Sequence, residues 1–366
     1  MEWLKEAANA VSRVVSEGRI GGTDEAAALE AEWASMVGVP YAVSVSSGTS
    51  GLEAALLAVG VRPGDHVIVP AVTFTASALA VHTIGANAVF VDVDPETGLL
   101  DVDALRKVQT SRPAAIVVVD IDGRLPDYRE IASLDPGVPI IEDACPSLGS
   151  YRDGAQAGQF GAISVFSLNH TKMVGAGEGG LVTTRSKALA ERVRSLRNFG
   201  EDRAALSDEG RRISFEVGRN WKLSELPAAF ARVNLRHSEY LGRRARRTRD
   251  ALREAAARSK TFRKPAPFAQ SEDPRPHKVR LHLARGVFRS EALLRLESVG
   301  VPTMPLEVEP LSAHPAFGGS GASDRFRFPN AYRFYDESII IGSRTQTPWS
   351  VSDSDLQSWC TAIQSI

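Results

Sequence analysis

The sequence predicts an α/β protein whose core is a buried, largely parallel β-sheet. Two observations carry this expectation. Near-continuous apolar runs at 66–72, 88–93 and 114–119 suit strands covered on both faces. Helix-like segments separate these runs, as the crossovers between parallel strands require. With 366 residues, 43% of them hydrophobic, the chain has enough apolar surface for one large core and a smaller second domain.

The elements follow in order. Residues 2–16 read as an amphipathic helix, ended by the glycines between Gly18 and Gly22. Thr23, with Asp24 and Glu25 behind it, is placed to cap the next helix, which is expected to run to Met36. Strands are expected at 41–46, 66–72, 88–93, 114–119, 139–141, 163–168 and 181–184. Helices are expected at 51–59, from Ser77 onward, and at 127–133, with a turn at Pro95-Glu-Thr-Gly98. Beyond Lys187 the pattern becomes helical at 187–197 and 223–257, followed by a linker at 265–276. A strand at 277–284, a helix at 290–298 and a last helix at 353–363 suggest a small α+β domain, and the glycine-rich stretch 313–324 suggests a mobile loop. The division drawn is a large domain at 1–250, including the N-terminal helical segment, and a small domain at 251–366.

Composition narrows the function. A net charge of −1 shows no basic excess of the kind nucleic-acid binding favours. The arginine-rich run from Arg243 to Arg249 reads as the solvated face of a helix, because acids recur beside it and no aromatic platform accompanies it. Two cysteines, Cys145 and Cys360, cannot build a disulfide framework or a metal cluster, so no metal is expected. The start of the chain lacks a signal-peptide pattern and no apolar run is long enough to span a bilayer, which predicts a cytoplasmic protein without a membrane partner.

Chemistry concentrates in five places. Lys172, one of only eight lysines, lies between a strand-like run and a glycine-rich turn. A lysine so placed suits Schiff-base formation with an aldehyde, although an exposed loop lysine fits the same pattern. Asp143 ends an apolar strand, on the side where α/β sheets bind ligands. Together a lysine for the aldehyde and a carboxylate for the pyridinium nitrogen are what pyridoxal 5'-phosphate requires. Gly48, Thr49 and Ser50 form a turn that opens a helix, where amides and hydroxyls can cradle a phosphate or merely cap. Phe74 follows the next strand and suits either a flat heteroaromatic ring or the core. Asn220 suits a helix cap or a phosphate contact in a neighbouring subunit.

In this order and spacing the segments resemble the DegT/DnrJ/EryC1/StrS family of pyridoxal-phosphate-dependent sugar aminotransferases. The resemblance covers nearly the whole chain and includes Gly60-Val-Arg-Pro-Gly-Asp65-His-Val-Ile-Val-Pro70, Val89-Phe-Val-Asp-Val-Asp-Pro95, Phe160-Gly161 and Arg197-Asn-Phe-Gly200. It implies the fold type I architecture of aspartate aminotransferase, with a mostly parallel seven-stranded sheet and a small C-terminal α+β domain. It also implies a homodimer with shared active sites. Lys172 matches the lysine of the internal aldimine, Asp143 the pyridinium partner and Phe74 the ring-stacking aromatic. Gly48, Thr49, Ser50 and Ser167 match the phosphate cup, and Asn220 the contact from the other subunit. The implied reaction moves an amino group from glutamate or glutamine to a ketone on a sugar, cyclitol or related molecule.

Three departures bear on the acceptor. Pro146 replaces a glutamine near the cofactor's phenolic oxygen, Pro227 replaces another glutamine, and Glu307-Val308 replaces a His-Tyr pair that usually meets the sugar. Glu307 and His170 are the candidate substrate contacts. A less typical acceptor, such as a cyclitol, an amino-sugar precursor without a nucleotide or a small keto acid, fits Glu307 and Pro146. A lyase, dehydratase or cyclase on the same scaffold, or a cofactor-binding regulator, remains open at this point.

Overall fold

Seven short strands, too apolar to face water on either side, form the centre of the molecule. They are β1 (Tyr41–Val45), β2 (His66–Pro70), β3 (Asn87–Val91), β4 (Ala115–Val119), β5 (Ile140–Asp143), β6 (Ile163–Ser167) and β7 (Gly180–Thr184). The structure is a computed structural model that describes residues 2–108, 112–206, 212–304, 309–319, 324–343 and 345–366. The order across the sheet is β1-β7-β6-β5-β4-β2-β3. Neighbours pair in parallel from β3 through β6. β7 runs the other way between β6 and β1. Six strands therefore point in one direction, and the mostly parallel seven-stranded sheet expected from the sequence is present.

Helices cover both faces. The helix Gly48–Val59 lies so close to the sheet that a Cβ on Gly51 would come within 2.7 Å of Val165 Cγ1. Alanines 54, 55, 58, 78 and 80 on that side are buried, which lets two helices approach the strands together. On the other face the helix Asp24–Val37 places Trp33 edge-on to Phe166, with ring centroids 5.3 Å apart. Thr23 stands before that helix but its side chain makes no capping bond. Instead the carboxylate of Glu225, two hundred residues away, accepts from the amides of Glu25 (2.7 Å) and Ala26 (3.1 Å). A carboxylate suits those unpaired donors and the positive end of the helix.

The helix expected at 223–257 is two, Glu225–Arg236 and Ser238–Ala256, meeting at His237. The second crosses the division drawn at residue 250, and its last turns pack Leu252, Ala255 and Ala256 into a separate C-terminal core. That core lies on an antiparallel sheet of Val279–His282, Ser338–Ile341 and Thr303–Met304, covered by Arg289–Ser298 and Asp353–Ser365. The arginine run is only partly a solvated face. Arg244 donates to the carbonyls of Trp349 (3.1 Å) and Val351 (2.6 Å), and buried Arg249 donates to the carbonyl of Pro274. These residues fasten the C-terminal segments to the helix. In the stretch 313–324, the described part holds two 3-10 turns, Leu311–Ala313 and Pro315–Phe317, while 320–323 lie outside the described residues.

His282 gives this region a pH dependence. It packs against Phe334 (5.8 Å between ring centroids), and burial, then the charges of Arg263 and Arg280, hold its pKa at about 3 against an ordinary 6.5. The unfolded chain thus binds more protons than the folded one between those values, so stability falls as pH drops through that window. The loss is roughly 1.4 kcal/mol per pH unit while this group dominates. Thermal melting from pH 7 to 4 is expected to fall less steeply in His282→Gln than in the unsubstituted protein; parallel curves would contradict it.

Candidate active site

The strand directions bring the sequence-predicted residues to one edge of the sheet. The carboxyl ends of β1, β2, β5 and β6 meet there, together with the amino end of antiparallel β7. Gly180 opens β7 opposite both Val45 and Ser167. A Cβ on Gly180 would lie 2.7 Å from the Ser47 carbonyl oxygen and 2.8 Å from that of Phe166, so only glycine lets the two strand ends close around it.

The turn after β1 begins the Gly48–Val59 helix with a capping box. Ser47 Oγ accepts from the Ser50 amide (3.0 Å), and Ser50 Oγ accepts from the Ser47 amide (2.9 Å). The Gly51 amide bonds to the Ser47 carbonyl. Of the first helical amides, those of Gly48 and Thr49 are left for a ligand. Buried Ser50 is committed to the cap. Gly48 itself presses against β6 and the loop after β5: a Cβ there would sit 3.1 Å from both Ser167 Cβ and Cys145 Sγ. Gly48 and Ser167 are therefore neighbours, and Thr49 is half-buried beside them.

Asp143 ends β5 and is 5% exposed. Its carboxylate is held on both oxygens. Ser77 Oγ donates to Oδ2 at 2.8 Å, and the Cys145 amide to Oδ1 at 3.2 Å. Ser77 in turn shares a hydrogen bond with Thr73 Oγ1 (2.9 Å). Phe74, next to Thr73, is 61% exposed and is not the core phenylalanine that its apolar neighbours allowed. Neither Thr73 nor Ser77 stood out in the sequence; their spacing of four across a helix start was the available signal.

A second carboxyl lies close by. The Asp120 amide donates to the Asp143 carbonyl (3.2 Å), and the Asp120 carboxyl accepts from Tyr128 Oη (2.5 Å) and Ser147 Oγ (2.6 Å). Burial, then the charges of Glu142 and Asp143, push its pKa well above the ordinary carboxylate value. Glu142 faces the other side of β5, where the amides of Gly158 (2.6 Å) and Phe160 (3.0 Å) and the Ser164 hydroxyl (2.6 Å) satisfy it.

Lys172 lies on a tightly bonded loop after β6. The Lys172 amide donates to the Asn169 carbonyl (2.8 Å), and the Asn169 side chain accepts from both the amide and the hydroxyl of Thr171. Asn234 Nδ2 anchors the loop through the Gly175 carbonyl (2.7 Å). The half-buried amine of Lys172 is 3.4 Å from His277 Nε2, and the His277 ring stacks on Trp349 at 5.9 Å. Burial and the nearby Lys172 and Lys278 charges hold His277 well below its usual pKa, so its imidazole is neutral. Pro146, Arg275 and Trp349 wall the same space beside Lys172. His277 and Trp349 carry no motif and were missed in the sequence.

Other candidates lie apart. His170 is exposed on the loop, its amide bonded to the Gly177 carbonyl (2.8 Å). Asn220 is not a helix cap; Ser224 holds that position. Exposed Asn220 lines an open groove with Arg197 and Asn198, while the neighbouring Trp221 carbonyl accepts from the Ser46 amide (2.8 Å). Glu307 and Val308 lie outside the described residues. Pro227 fits the first turn of the Glu225–Arg236 helix, as the loss of its amide allows. Among the described residues no group of three or more His, Cys, Asp or Glu side chains could hold a metal ion.

This arrangement fits pyridoxal phosphate: a lysine amine, a buried and doubly held carboxylate, and free helix amides backed by a glycine where a Cβ would intrude. Known proteins resemble this chain. The profile of the DegT/DnrJ/EryC1/StrS aminotransferase family matches residues 2–355. The dTDP-3-amino-3,4,6-trideoxy-alpha-D-glucose transaminase of Streptomyces venezuelae is 32% identical over 362 residues, covering 97% of this chain and 92% of that protein. GDP-perosamine synthase of Caulobacter vibrioides is 36% identical over 222 residues, 60% of this chain and 58% of that protein, so this match spans less than two thirds of that relative. The solved structure of S. venezuelae DesV, in complex with a ketimine intermediate, matches with a TM-score of 0.88 at 29% identity, over 100% of this chain and 95% of that one. The architecture is thus fold type I of the pyridoxal-phosphate-dependent transferases, and the chain belongs to the DegT/DnrJ/EryC1/StrS aminotransferase family.

Proposed function

We propose that this chain moves an amino group from an amino acid, glutamate or glutamine, to the ketone of a sugar or related cyclic acceptor in a biosynthetic pathway. The observation that carries the reading is the meeting of Lys172, Asp143, Gly48 and Ser167 at one sheet edge. Pyridoxal phosphate bound there supplies an electron-accepting pyridinium ring. Asp143 holds a proton on the ring nitrogen, and Ser77 with the Cys145 amide fixes that carboxylate in place. The Gly48 and Thr49 amides and the Ser167 hydroxyl hold the phosphate. Lys172 would hold the cofactor through its aldehyde, and its amine is the group that would carry the proton between carbon atoms. Neutral His277 accepts the contact from Lys172, and Trp349 behind it limits the freedom of the imidazole.

The acting unit in this reading is a homodimer. Phe74, Phe215 and Val217 are 61%, 62% and 82% exposed, and a second copy is proposed to cover them. A second copy covering them would place Phe74 over the cofactor ring and bring the partner's phosphate within reach of Asn220. His170 and Glu307 are proposed to face the acceptor. The pattern suits a cytoplasmic enzyme; no helix among the described residues is long and apolar enough to cross a membrane.

Borohydride reduction of the protein with pyridoxal phosphate, followed by peptide mass mapping, is expected to place the pyridoxyl label on Lys172. Lys172→Ala should lose the label and at least about a hundredfold of 2-oxoglutarate release from L-glutamate. A label elsewhere, or a variant that still turns over donor, would defeat the assignment.

Asp120 matters here because its neutrality leaves Asp143 as the nearby anion. Its folded pKa is raised, so the folded chain binds the extra proton and stability declines as pH rises from the ordinary carboxylate range through the folded value. Asp120→Asn removes that linkage. Its melting temperature relative to the unsubstituted protein should therefore climb between pH 4 and pH 8, with donor turnover kept; a flat or falling difference would mean that Asp120 is ionised in the fold.

A further inference from the structure

Consecutive residues of the segment 274–278 line two different cavities. Arg275 and His277 face the space beside Lys172. Pro274, Pro276 and Lys278 line a second cavity, of about 150 Å³, and the two share no lining residue. Seven side chains of the second cavity are cationic and only two, Glu96 and Asp122, are carboxylates.

Part of this charge is already balanced. Arg263 pairs with Glu96 (2.7 Å) and Arg280 with Asp122 (2.6 Å). Arg124 pairs with Glu272 (3.1 Å) and Arg249 with Asp250 (2.7 Å), carboxylates from outside the lining. Arg253 and Lys264 have no ion-pair partner among the described residues. The Arg253 guanidinium donates through Nη2 to the Ala266 carbonyl and lies over the Phe268 ring at 4.2 Å, with Arg249 at 4.8 Å and Arg124 at 5.2 Å over the same ring. The ring attracts each cation but does nothing to neutralise three of them together. Burial, then the charges of Arg124 and Arg249, lower the Arg253 pKa, and the carboxylates of Asp250 and Glu272 offset this only in part. The Nη2 of Arg263 is buried without a hydrogen-bond partner. A guanidinium nitrogen left unbonded inside the protein is costly and marks the place of an acceptor.

We propose that this cavity is a binding site for a small multivalent oxyanion, a phosphate or diphosphate group, held by Arg253, Lys264 and the free Nη2 of Arg263. The size decides the class. At 150 Å³ it is below the roughly 300–1,000 Å³ of pockets that enclose whole drug-sized molecules, so it suits an anionic group and not a nucleotide. Planar guanidinium forks match tetrahedral oxyanions, and the excess of cations selects for more than one negative charge.

Isothermal titration calorimetry on the cofactor-loaded, full-length protein at constant ionic strength tests the site, with inorganic phosphate, diphosphate and glucose 1-phosphate as probes. Diphosphate is expected to bind saturably, at one site per chain. Arg253→Gln should weaken it about tenfold, as for a lost charge-assisted bond. Lys264→Gln, at an exposed position that leaves the melting temperature unchanged, should weaken it roughly threefold. Absence of saturable heat, or equal affinity in both variants, overturns the proposal. Equal binding of glucose 1-phosphate and phosphate would identify the phosphoryl end of a larger molecule as the ligand, whereas binding of the free ions alone would identify the ions themselves.

Discussion

The close approach at Gly180 is the constraint on which the rest of the site depends. The reversed strand β7 slips between β1 and β6, and its first residue touches the backbone of both strand ends. Any side chain there would force the Ser47 turn away from Phe166 and Ser167. The helix amides, the serine hydroxyl and the lysine loop would then no longer share an edge. A feature without a functional group thus sets the geometry of all the groups that have one.

Around that edge the molecule separates charge with hydrogen bonds and burial. Asp143 is gripped by a hydroxyl and an amide, Glu142 by amides and a hydroxyl on the opposite face, and Asp120 by a phenol and a hydroxyl. Three acids within one strand's reach would repel one another if all were charged. The raised pKa of Asp120 relieves this.

Much of this was legible in the sequence, for local reasons. Most of these strands are rich in apolar residues, so all seven large-sheet strands were found to within a few residues. Lys172, Asp143 and Gly48 each sit at a strand end or a helix start, and such positions leave a local trace. Ser77 leaves only its spacing of four from Thr73, and His277 and Trp349 leave none, because they reach the site through tertiary packing. The hairpin of Glu201–Leu206 and Arg212–Ser214 and the strand Ser338–Ile341 were missed because they are short or polar. The cap of the Asp24–Val37 helix was misassigned to Thr23 for a related reason: a sequence window shows the neighbouring hydroxyl and not the carboxylate that arrives from residue 225. The arginine run was read as solvated, since a sequence does not show which carbonyls its guanidinium groups meet.

That distant cap has a consequence for how the chain is made. The amino end of the Asp24–Val37 helix waits for Glu225, and β1 waits for β7 as its one partner in the sheet. During synthesis residues 24–45 therefore emerge with an uncapped helix and an unpaired strand; the strand finds its partner only at residues 180–184 and the helix its cap only at residue 225. Contacts of such long sequence separation slow folding and leave apolar edges uncovered meanwhile. The N-terminal segment thus spends much of synthesis with its helix end and strand edge open to water or to other chains.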